Sequence, residues 1–379
     1  MCLMAFALHP HPALGLLLAS NRDEFLDRPT QPLHQWHTAT GTPVWAGRDV
    51  RDGGTWLGCT PAGRVGMLTN VRDPDSVAQA STEQQPTPSA AATALRSRGE
   101  LVTRWLDTHA AEPNSALAAE QLLAWLGPRA LDYGGFNLVL GDLAQGCWLW
   151  LNNRPHSALP GMPSAVRALT TQPHPHLLAA WLPPGVYGLS NSGLDAPWPK
   201  TRTLTNALTQ ALQSDLDAIA AGQPPHPLAH SPLWHTLTNT ERAPDHELPH
   251  TGVPWAWEQA LSAIWVDMPP TEVNPATETT TLRAASTGYG TRSSLLMRLH
   301  RPGWKTDTTR SSLAGVSHPP DWQAQMLERT WRPASTEGWV SAEWTLPQSN
   351  GHQNHNCNSS EHAVTPSTTT TTQTVNQLR

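Results

Sequence analysis

Short apolar runs that arrive in pairs are the feature of this chain that most limits its fold. Residues 2–8 (CLMAFAL) and 14–20 (LGLLLAS) flank a segment rich in Pro and His, an arrangement typical of a β-hairpin. Similar runs predict strands at 43–47, 55–60, 65–70, 135–141, 147–152 and 186–190. Apolar residues at helical spacing predict helices in separate blocks, at 96–109, 114–126 and 198–214.

The order of these elements decides between types of sheet. Because the strands come in hairpin-like pairs and the helices in separate blocks, the sequence predicts antiparallel sheets with helices on their outer faces. A doubly wound parallel sheet would alternate strands and helices instead. The expected fold class is therefore α+β. A second hairpin is predicted from residues 281–289 and 292–299, with a tight turn around Gly290 and Arg292.

The 379 residues are enough for one large domain or two ordinary ones. Pro and His crowd together at about 220–255, which predicts a long loop or an insertion. From 347 to 379 the chain is rich in Thr, Asn and His and has few apolar residues to bury. We therefore expect a single domain at 1–346, followed by a disordered tail at 347–379.

Composition and charge exclude several functions. A net charge of −6 offers no basic excess for binding nucleic acid. No uncharged apolar run approaches the roughly 20 residues that a membrane-spanning helix needs. The 4 cysteines and 18 histidines show no metal-ligand spacing, so no metal site is expected. The apolar start lacks a basic segment and is interrupted by Pro and His, so it does not resemble a signal peptide, and we expect a cytoplasmic protein.

Cys2 is the first residue that carries a chemical signal. Cys is small enough for Met1 to be removed after synthesis, which would give Cys2 a thiol and a free α-amine in one residue. The α-amine has a pKa of about 8 and can accept the thiol proton. Cys2 would then be an activated nucleophile that needs no histidine partner. The alternative is that Cys2 is an ordinary strand residue.

Four polar residues, Asn21, Arg22, Asp23 and Glu24, directly follow the second apolar run. If the first two runs pair, these residues return beside Cys2. An Arg would lower the thiol pKa, and a carboxylate could hold the α-amine. Successive strand side chains alternate in direction, so Arg22 would point away from the face of Asn21, which argues against a role near the thiol. The alternative is a surface charge cluster at the start of a loop.

Three further segments hold candidate residues. The glycine-rich segment GGTWLG contains Trp56, and glycines crowd where backbones approach closely. Asn70 and Asn191 each follow a predicted strand, where an amide side chain can donate to an oxyanion. Arg292 lies in the predicted second tight turn. The alternative for each segment is an ordinary turn or strand end.

Nine segments in this order resemble the NRDE family, which is also called the transport and Golgi organisation protein 2 family. The resemblance covers about residues 1–300 and extends towards 346. The segments are MC at the start, NRDE at 21–24, GGTWLG at 53–58, LTNVR at 68–72, SRGELV at 97–102, FNLVLGD at 136–142, LSNS at 189–192, PWPK at 197–200 and GTRSS at 290–294.

The resemblance implies an N-terminal nucleophile hydrolase-like fold, a four-layer αββα sandwich. In cysteine-type members of that superfamily, the N-terminal Cys attacks an amide carbonyl, an Asp contacts its amine and Asn side chains help to form the oxyanion hole. Related acylases place an Arg directly before the first Asn, where this chain has Ser20. Residue by residue, the matches are Cys2 as nucleophile, Asn21 and Asp23 as the Asn-x-Asp, Asn191 and Asn70 as oxyanion donors and Arg292 as a late active-site Arg.

Two hypotheses of different classes follow. The first is an amidohydrolase without a cofactor that cleaves a non-peptide C–N bond of a small-molecule amide through Cys2. The second, which the resemblance implies, is a non-catalytic binding or trafficking protein for haem or an acyl lipid, and a single axial haem ligand would need no sequence partner. The sequence favours no particular oligomeric state. The candidate ligand-contacting residues are Asn21, Arg22, Glu24 and Trp56.

Met1 is expected to be absent from the mature protein. The small side chain at position 2 permits its removal, and the amine base of the hydrolase hypothesis requires it. Intact mass spectrometry of the purified protein measures the processed fraction. If most molecules retain Met1, the hydrolase hypothesis loses its base.

Overall fold

The computed structural model describes residues 2–72, 95–270, 288–304, 321–332 and 337–347. In chain order, its strands are β1 (Cys2–His11), β2 (Leu14–Phe25), β3 (Thr30–His37), β4 (Pro43–Asp49), β5 (Leu57–Cys59), β6 (Arg64–Asn70), β7 (Phe136–Asp142), β8 (Cys147–Asn152), β9 (Thr171–His174), β10 (Leu177–Trp181), β11 (Gly185–Leu189), β12 (Asp267–Met268), β13 (Tyr289–His300), β14 (Gln323–Thr330) and β15 (Gly338–Thr345).

In the part of the chain that the structure describes, helices occur in three blocks, between β6 and β7, between β8 and β9, and between β11 and β12. The α-helices are α1 (Gly99–Ala111), α2 (Ser115–Leu126), α3 (Pro155–Ala158), α4 (Ser164–Ala168), α5 (Pro199–Ala220), α6 (Leu233–Leu237) and α7 (Trp255–Ala260). Short 3₁₀ helices cover Gly127–Asp132, Leu228–His230 and Asp245–Glu247. None of the helices in the described ranges combines the length with the apolar composition that crossing a bilayer requires.

The strands form two antiparallel sheets, which confirms the predicted α+β class. The first sheet has the order β11-β1-β2-β13-β14-β15, with β12 paired to β13. The second sheet has the order β3-β4-β5-β6-β7-β8-β10-β9. Each strand pair within these sheets is antiparallel.

The first predicted hairpin is confirmed by the pairing of β1 with β2. The pairing opposes Phe6 to Leu18 and Cys2 to Arg22. Both strands are apolar along almost their whole length because both of their faces are buried. A strand with two buried faces shows no alternation of apolar and polar residues, which explains the continuous apolar runs in the sequence.

Three apolar clusters define how the elements pack. One cluster combines Phe6 and Leu18 of the first sheet with Met67 and Trp150 of the second sheet. Another joins the second sheet to α1 and α2. A third joins the first sheet to α5 and α6. The two sheets therefore share one core, and helices cover the opposite face of each sheet.

The predicted second hairpin is wrong. Residues 289–300 form one continuous strand, β13, between β2 and β14. The polar residues that suggested a turn are buried there and hydrogen-bonded: Thr291 donates to Asp23, and Ser294 donates to Asn21. Residues 281–287 of the predicted hairpin lie outside the described residues.

The Pro- and His-rich segment at about 220–255 contains two of the 3₁₀ helices and α6. Its buried leucines, Leu228, Leu233 and Leu237, belong to the core that covers the first sheet. Strands β3, β9, β10, β12, β14 and β15 were not predicted. The predicted tail at 347–379 lies, apart from Pro347, outside the described residues, and the single-domain division at 346 stays a prediction.

Trp105 attaches α1 to the second sheet. Its side chain is 1% exposed, and its Nε1–H donates to the carbonyl oxygens of Val65 at 2.8 Å and Gly141 at 3.2 Å. The guanidinium of Arg64 lies 4.5 Å from the centre of its ring. One side chain thus contributes apolar burial, hydrogen bonds to two neighbouring strands and a cation–π contact.

Trp105→Ala is expected to lower the free energy of unfolding by about 3–5 kcal/mol, because it leaves a large cavity. Trp255→Ala is the matched control, since Trp255 is 57% exposed, and a change within about 0.5 kcal/mol is expected there. Denaturant unfolding measures both variants. Equal losses in the two variants would contradict the proposed anchoring role of Trp105.

Candidate functional site

A cleft of about 1000 Å³ opens where β1 begins and β2 ends. Both sheets contribute to its walls. Its polar and charged lining includes most of the residues that the sequence singled out. Those residues are Cys2, Arg22, Asp23, Glu24, Trp56 and Asn70.

Cys2 lies at the start of the central strand β1 and is 6% exposed. Burial raises the pKa of its thiol, and Asp23 raises it further, while the charge of Arg22 lowers it. The thiol is therefore protonated at neutral pH and needs a base to react. Cys59 is also a free thiol, but it does not line the cleft.

Arg22 lines the cleft on the face of β2 opposite to Asn21, and the argument against a place for Arg22 near the thiol is therefore wrong. Cys2 and Arg22 are directly opposite in the β1–β2 pairing, so their side chains lie on the same face of the sheet. The guanidinium of Arg22 stacks over Trp56 at 4.0 Å and lies 3.9 Å from Glu24. Arg22 is therefore placed to stabilise a thiolate at Cys2.

Asn21 points to the other face of β2 and does not line the cleft. Its Nδ2 donates to the carbonyl oxygens of Leu237 at 2.8 Å and Ile264 at 3.0 Å. Its Oδ1 accepts a hydrogen bond from the Ser294 hydroxyl at 2.6 Å. Asn21 thus ties the segment after α5 to the first sheet, and it occupies a structural position, not a ligand-binding one.

Asp23 lines the cleft beside Cys2 and is 1% exposed. Its Oδ1 accepts a hydrogen bond from Thr291 at 2.7 Å, and its carbonyl oxygen accepts one from the Tyr289 hydroxyl at 2.9 Å. Burial raises the pKa of the Asp23 carboxyl, whereas the charge of Lys200 opposes that rise. Asp23 is therefore held in one orientation by β13.

Glu24 and Arg292 have different surroundings. Glu24 lines the cleft and accepts a hydrogen bond from the amide of Phe25 at 2.9 Å. Burial alone would raise the pKa of Glu24, but nearby positive charges, including Arg22, bring it below its usual value. Arg292 donates to the carbonyl oxygens of Phe25 and Arg28, so it stabilises the turn after β2 and does not line the cleft.

The two candidate oxyanion donors are placed differently. Asn70 ends β6 and lines the cleft, and its side chain makes no hydrogen bond within the described part of the chain. Asn191 is 1% exposed and is not among the described residues that line the cleft. Its Nδ2 donates to the carbonyl oxygen of Asn70 at 2.8 Å. Asn191 therefore binds the backbone of Asn70, and of these two residues only Asn70 is among those that line the cleft.

Buried charges behind Asp23 were not assigned roles from the sequence. Lys200 is 4% exposed, and its Nζ donates to the carbonyl oxygen of Leu261 at 2.8 Å. Arg72 forms a buried ion pair with Glu258 at 3.0 Å. Lys200 belongs to the PWPK segment and Arg72 to the LTNVR segment. The sequence motifs thus included both residues but did not predict which residues they contact. Glu258 lies in the short helix α7, in a Pro-rich part of the chain, and no sequence motif marked it as a candidate.

The polar lining does not form a metal centre. Within the described ranges, no group of three or more His, Cys, Asp or Glu side chains could hold a metal ion. Apolar residues complete the walls of the cleft between the charged ones. They include Phe25, Leu68, Val71 and Trp257. The arrangement offers one thiol, ionisable groups, an amide donor and apolar contact surface.

Comparison with known proteins agrees with the resemblance read from the nine segments. The family model "Transport and Golgi organisation 2" matches residues 1–309, and the chain belongs to that family. The Homo sapiens "Transport and Golgi organization protein 2 homolog" is 28% identical over 345 residues, which cover 87% of this chain and 99% of that protein. The Bos taurus protein of the same name is 29% identical over 339 residues, covering 86% of this chain and 98% of that protein.

The buried Lys200 is expected to make stability depend on pH. Burial lowers its pKa to about 8 from an ordinary value of 10.5, and the charge of Arg72 lowers it further. Between these two values the unfolded chain binds more protons, so the contribution of Lys200 to stability rises with pH. From about pH 7.5 to about pH 9.5, the wild type should gain about 1–2 kcal/mol relative to Lys200→Met.

Urea unfolding of both proteins at the two pH values measures this difference. Arg202→Met is the matched control on the same helix, because the Arg202 side chain is 52% exposed and should show no such pH dependence. Parallel pH profiles of the wild type and Lys200→Met would contradict a lowered Lys200 pKa.

Proposed function

We propose that this chain is an N-terminal nucleophile amidohydrolase that cleaves a non-peptide C–N bond through Cys2. The observation that carries the proposal is the convergence of Cys2, Asp23 and Asn70 on one cleft, from strands of both sheets. The proposed fold is the αββα sandwich of that superfamily. The core shared by the two sheets, with helices on their opposite faces, supports it.

The first chemical step requires a base, because burial keeps the Cys2 thiol protonated. After removal of Met1, the α-amine of Cys2 takes this proton, and the sulfur attacks the carbonyl carbon of the substrate amide. The carboxylate of Asp23 balances the resulting ammonium. The guanidinium of Arg22, opposite Cys2 in the pairing, favours the thiolate.

The second step breaks the C–N bond. The side-chain amide of Asn70 donates to the oxyanion of the tetrahedral intermediate, which is the role expected of an otherwise unengaged donor in the cleft. As the intermediate collapses, the α-ammonium returns the proton to the leaving nitrogen, and an acyl thioester remains on Cys2. The amine then activates a water molecule, which hydrolyses the thioester and releases a carboxylic acid and the free thiol.

A second candidate function is the binding or trafficking of haem or an acyl lipid. The size of the cleft favours it, because about 1000 Å³ lies at the upper end of the range for small-molecule pockets. The described residues that line the cleft include no histidine, so an axial ligand from among them would be Cys2 or Tyr289. A binding role would suit relatives that are named for transport and Golgi organization.

Cys2→Ala is expected to abolish hydrolysis of an acyl-amide panel, because it removes the nucleophile. Asn70→Ala should lower kcat by about 10²–10³-fold through the loss of one oxyanion donor. Cys59→Ala is the matched control, since Cys59 is a buried free thiol that does not line the cleft. Amine release by the Met1-processed protein, at neutral pH, measures all three variants.

The same preparations are titrated with haem to separate the two functions. Turnover that disappears in Cys2→Ala and survives in Cys59→Ala supports the hydrolase. An absence of turnover across the panel, together with stoichiometric haem binding by the Met1-processed protein, would replace it with the binding function.

A further inference from the structure

Arg98 is a cation of the cleft that has no carboxylate partner among the residues that the structure describes. It directly precedes α1, and its Nη1 donates to the carbonyl oxygen of Gly135 at 3.1 Å. No carboxylate of the described residues forms an ion pair with it. Other arginines of the cleft are paired differently: Arg28 binds Asp49 at 2.6 Å, and Arg96 binds Glu100 at 2.7 Å.

Partial burial of the Arg98 guanidinium beside no opposite charge is energetically unfavourable. Its side chain is partly buried, and burial lowers its pKa, while Glu24 opposes this shift only through its electrostatic field. A desolvated charge is normally compensated by an opposite charge, because its lost hydration is otherwise unrecovered. The hydrogen bond to a neutral carbonyl group supplies only part of that compensation.

The backbone around Arg98 is closely packed and has little freedom to move the side chain away. A side chain on Gly54 would place its Cβ 2.6 Å from the carbonyl carbon of Gly99, next to Arg98. A side chain on Gly134 would place its Cβ 3.3 Å from the Nη1 of Arg98. The glycine at 54 lets the chain pass close to the start of α1, and the guanidinium itself lies against the backbone at 134–135 in the wall of the cleft.

We infer that Arg98 binds an anionic group, a carboxylate, on the substrate that Cys2 attacks. This inference rests on the proposed function, because it names the substrate class of the same site. The planar guanidinium suits a carboxylate, which it can contact through two parallel hydrogen bonds. Cys2 and Arg98 line one cleft and lie close enough for their charges to interact, so one small molecule can reach both.

The remaining walls describe the rest of the substrate. Phe25, Leu68 and Val71 offer apolar surface between the charged groups. The substrate class is therefore an amide with an apolar body and a carboxylate. Because Arg98 contacts the carboxylate and not the reacting atoms, its loss should raise KM for anionic amides while kcat changes little.

The test compares amides that differ only in charge. One pair is N-phenylacetylglycine and N-phenylacetylglycinamide, with the carboxylate on the amine side. The other is N-phenylsuccinamic acid and its primary amide, N-phenylsuccinamide, with the carboxylate on the acyl side. Calorimetric titration of the full-length Cys2→Ala protein measures affinity without turnover. At least one anionic probe should bind about 10–100-fold more tightly than its neutral partner, as expected for a hydrogen bond to a charged group.

Variants of Arg98 in the same background assign the preference. Arg98→Met should abolish it, and Arg98→Lys, which keeps the charge, should retain part of it. Arg104→Met is the matched control, because Arg104 is an exposed arginine of α1 that does not line the cleft. Equal affinity for the charged and neutral probes in Cys2→Ala overturns the inference even if the Arg98 variants do not fold.

Different results would contradict the carboxylate site at Arg98 and the proposed hydrolase activity of Cys2. Binding that prefers the anionic probe and depends on Arg98, without hydrolysis by the Met1-processed wild type, supports the carboxylate site and removes the hydrolase. Hydrolysis of charged and neutral amides with equal kcat/KM, unchanged in Arg98→Met, leaves the hydrolase and overturns the carboxylate site.

Discussion

The register of the central strands β1, β2 and β13 determines the rest of the site. Cys2 lies opposite Arg22, and Asp23 lies opposite Thr291. Both faces of these strands are buried. A register shift of one residue would therefore turn every core side chain to the opposite face of the sheet. An irregularity between Thr291 and Ser293 leaves Arg292 out of the regular pairing, so that its side chain can reach the turn after β2.

This register gives the polar residues at the end of β2 two separate roles. Asn21 points outward and binds the backbone of the segment that covers the first sheet, whereas Arg22 and Asp23 are among the residues that line the cleft. Burial of so many polar groups is stabilising only when each has partners. Thr291 supplies one for Asp23, and the buried charge of Lys200 opposes the effect of burial on its pKa. The cleft therefore depends on side chains far apart in the sequence.

The features that could be predicted from the sequence are those that depend on local patterns of residues. The β1–β2 hairpin followed from two apolar runs, and the position of Asp23 beside Cys2 followed from their pairing. The strand β13 was misread because its polar start resembles a turn until its buried partners on β2 are known. Strand alternation placed Arg22 and Asn21 on opposite faces correctly, but only the register with β1 decides which of them faces Cys2. The different roles of Asn70 and Asn191 depend on contacts between the sheets, which no local pattern contains.

The charge states of the site explain why a base within Cys2 itself would matter. Burial raises the pKa of both the Cys2 thiol and the Asp23 carboxyl, and it lowers the pKa of Lys200 to about 8. Each shift favours the neutral form, so separating charge in this cleft is costly. In the proposed mechanism, a base on the same residue as the thiol would move the proton over the shortest distance, and the charges of Asp23 and Arg22 would oppose those that form. The burial that keeps the Cys2 thiol protonated would then also strengthen each electrostatic interaction once the proton had moved.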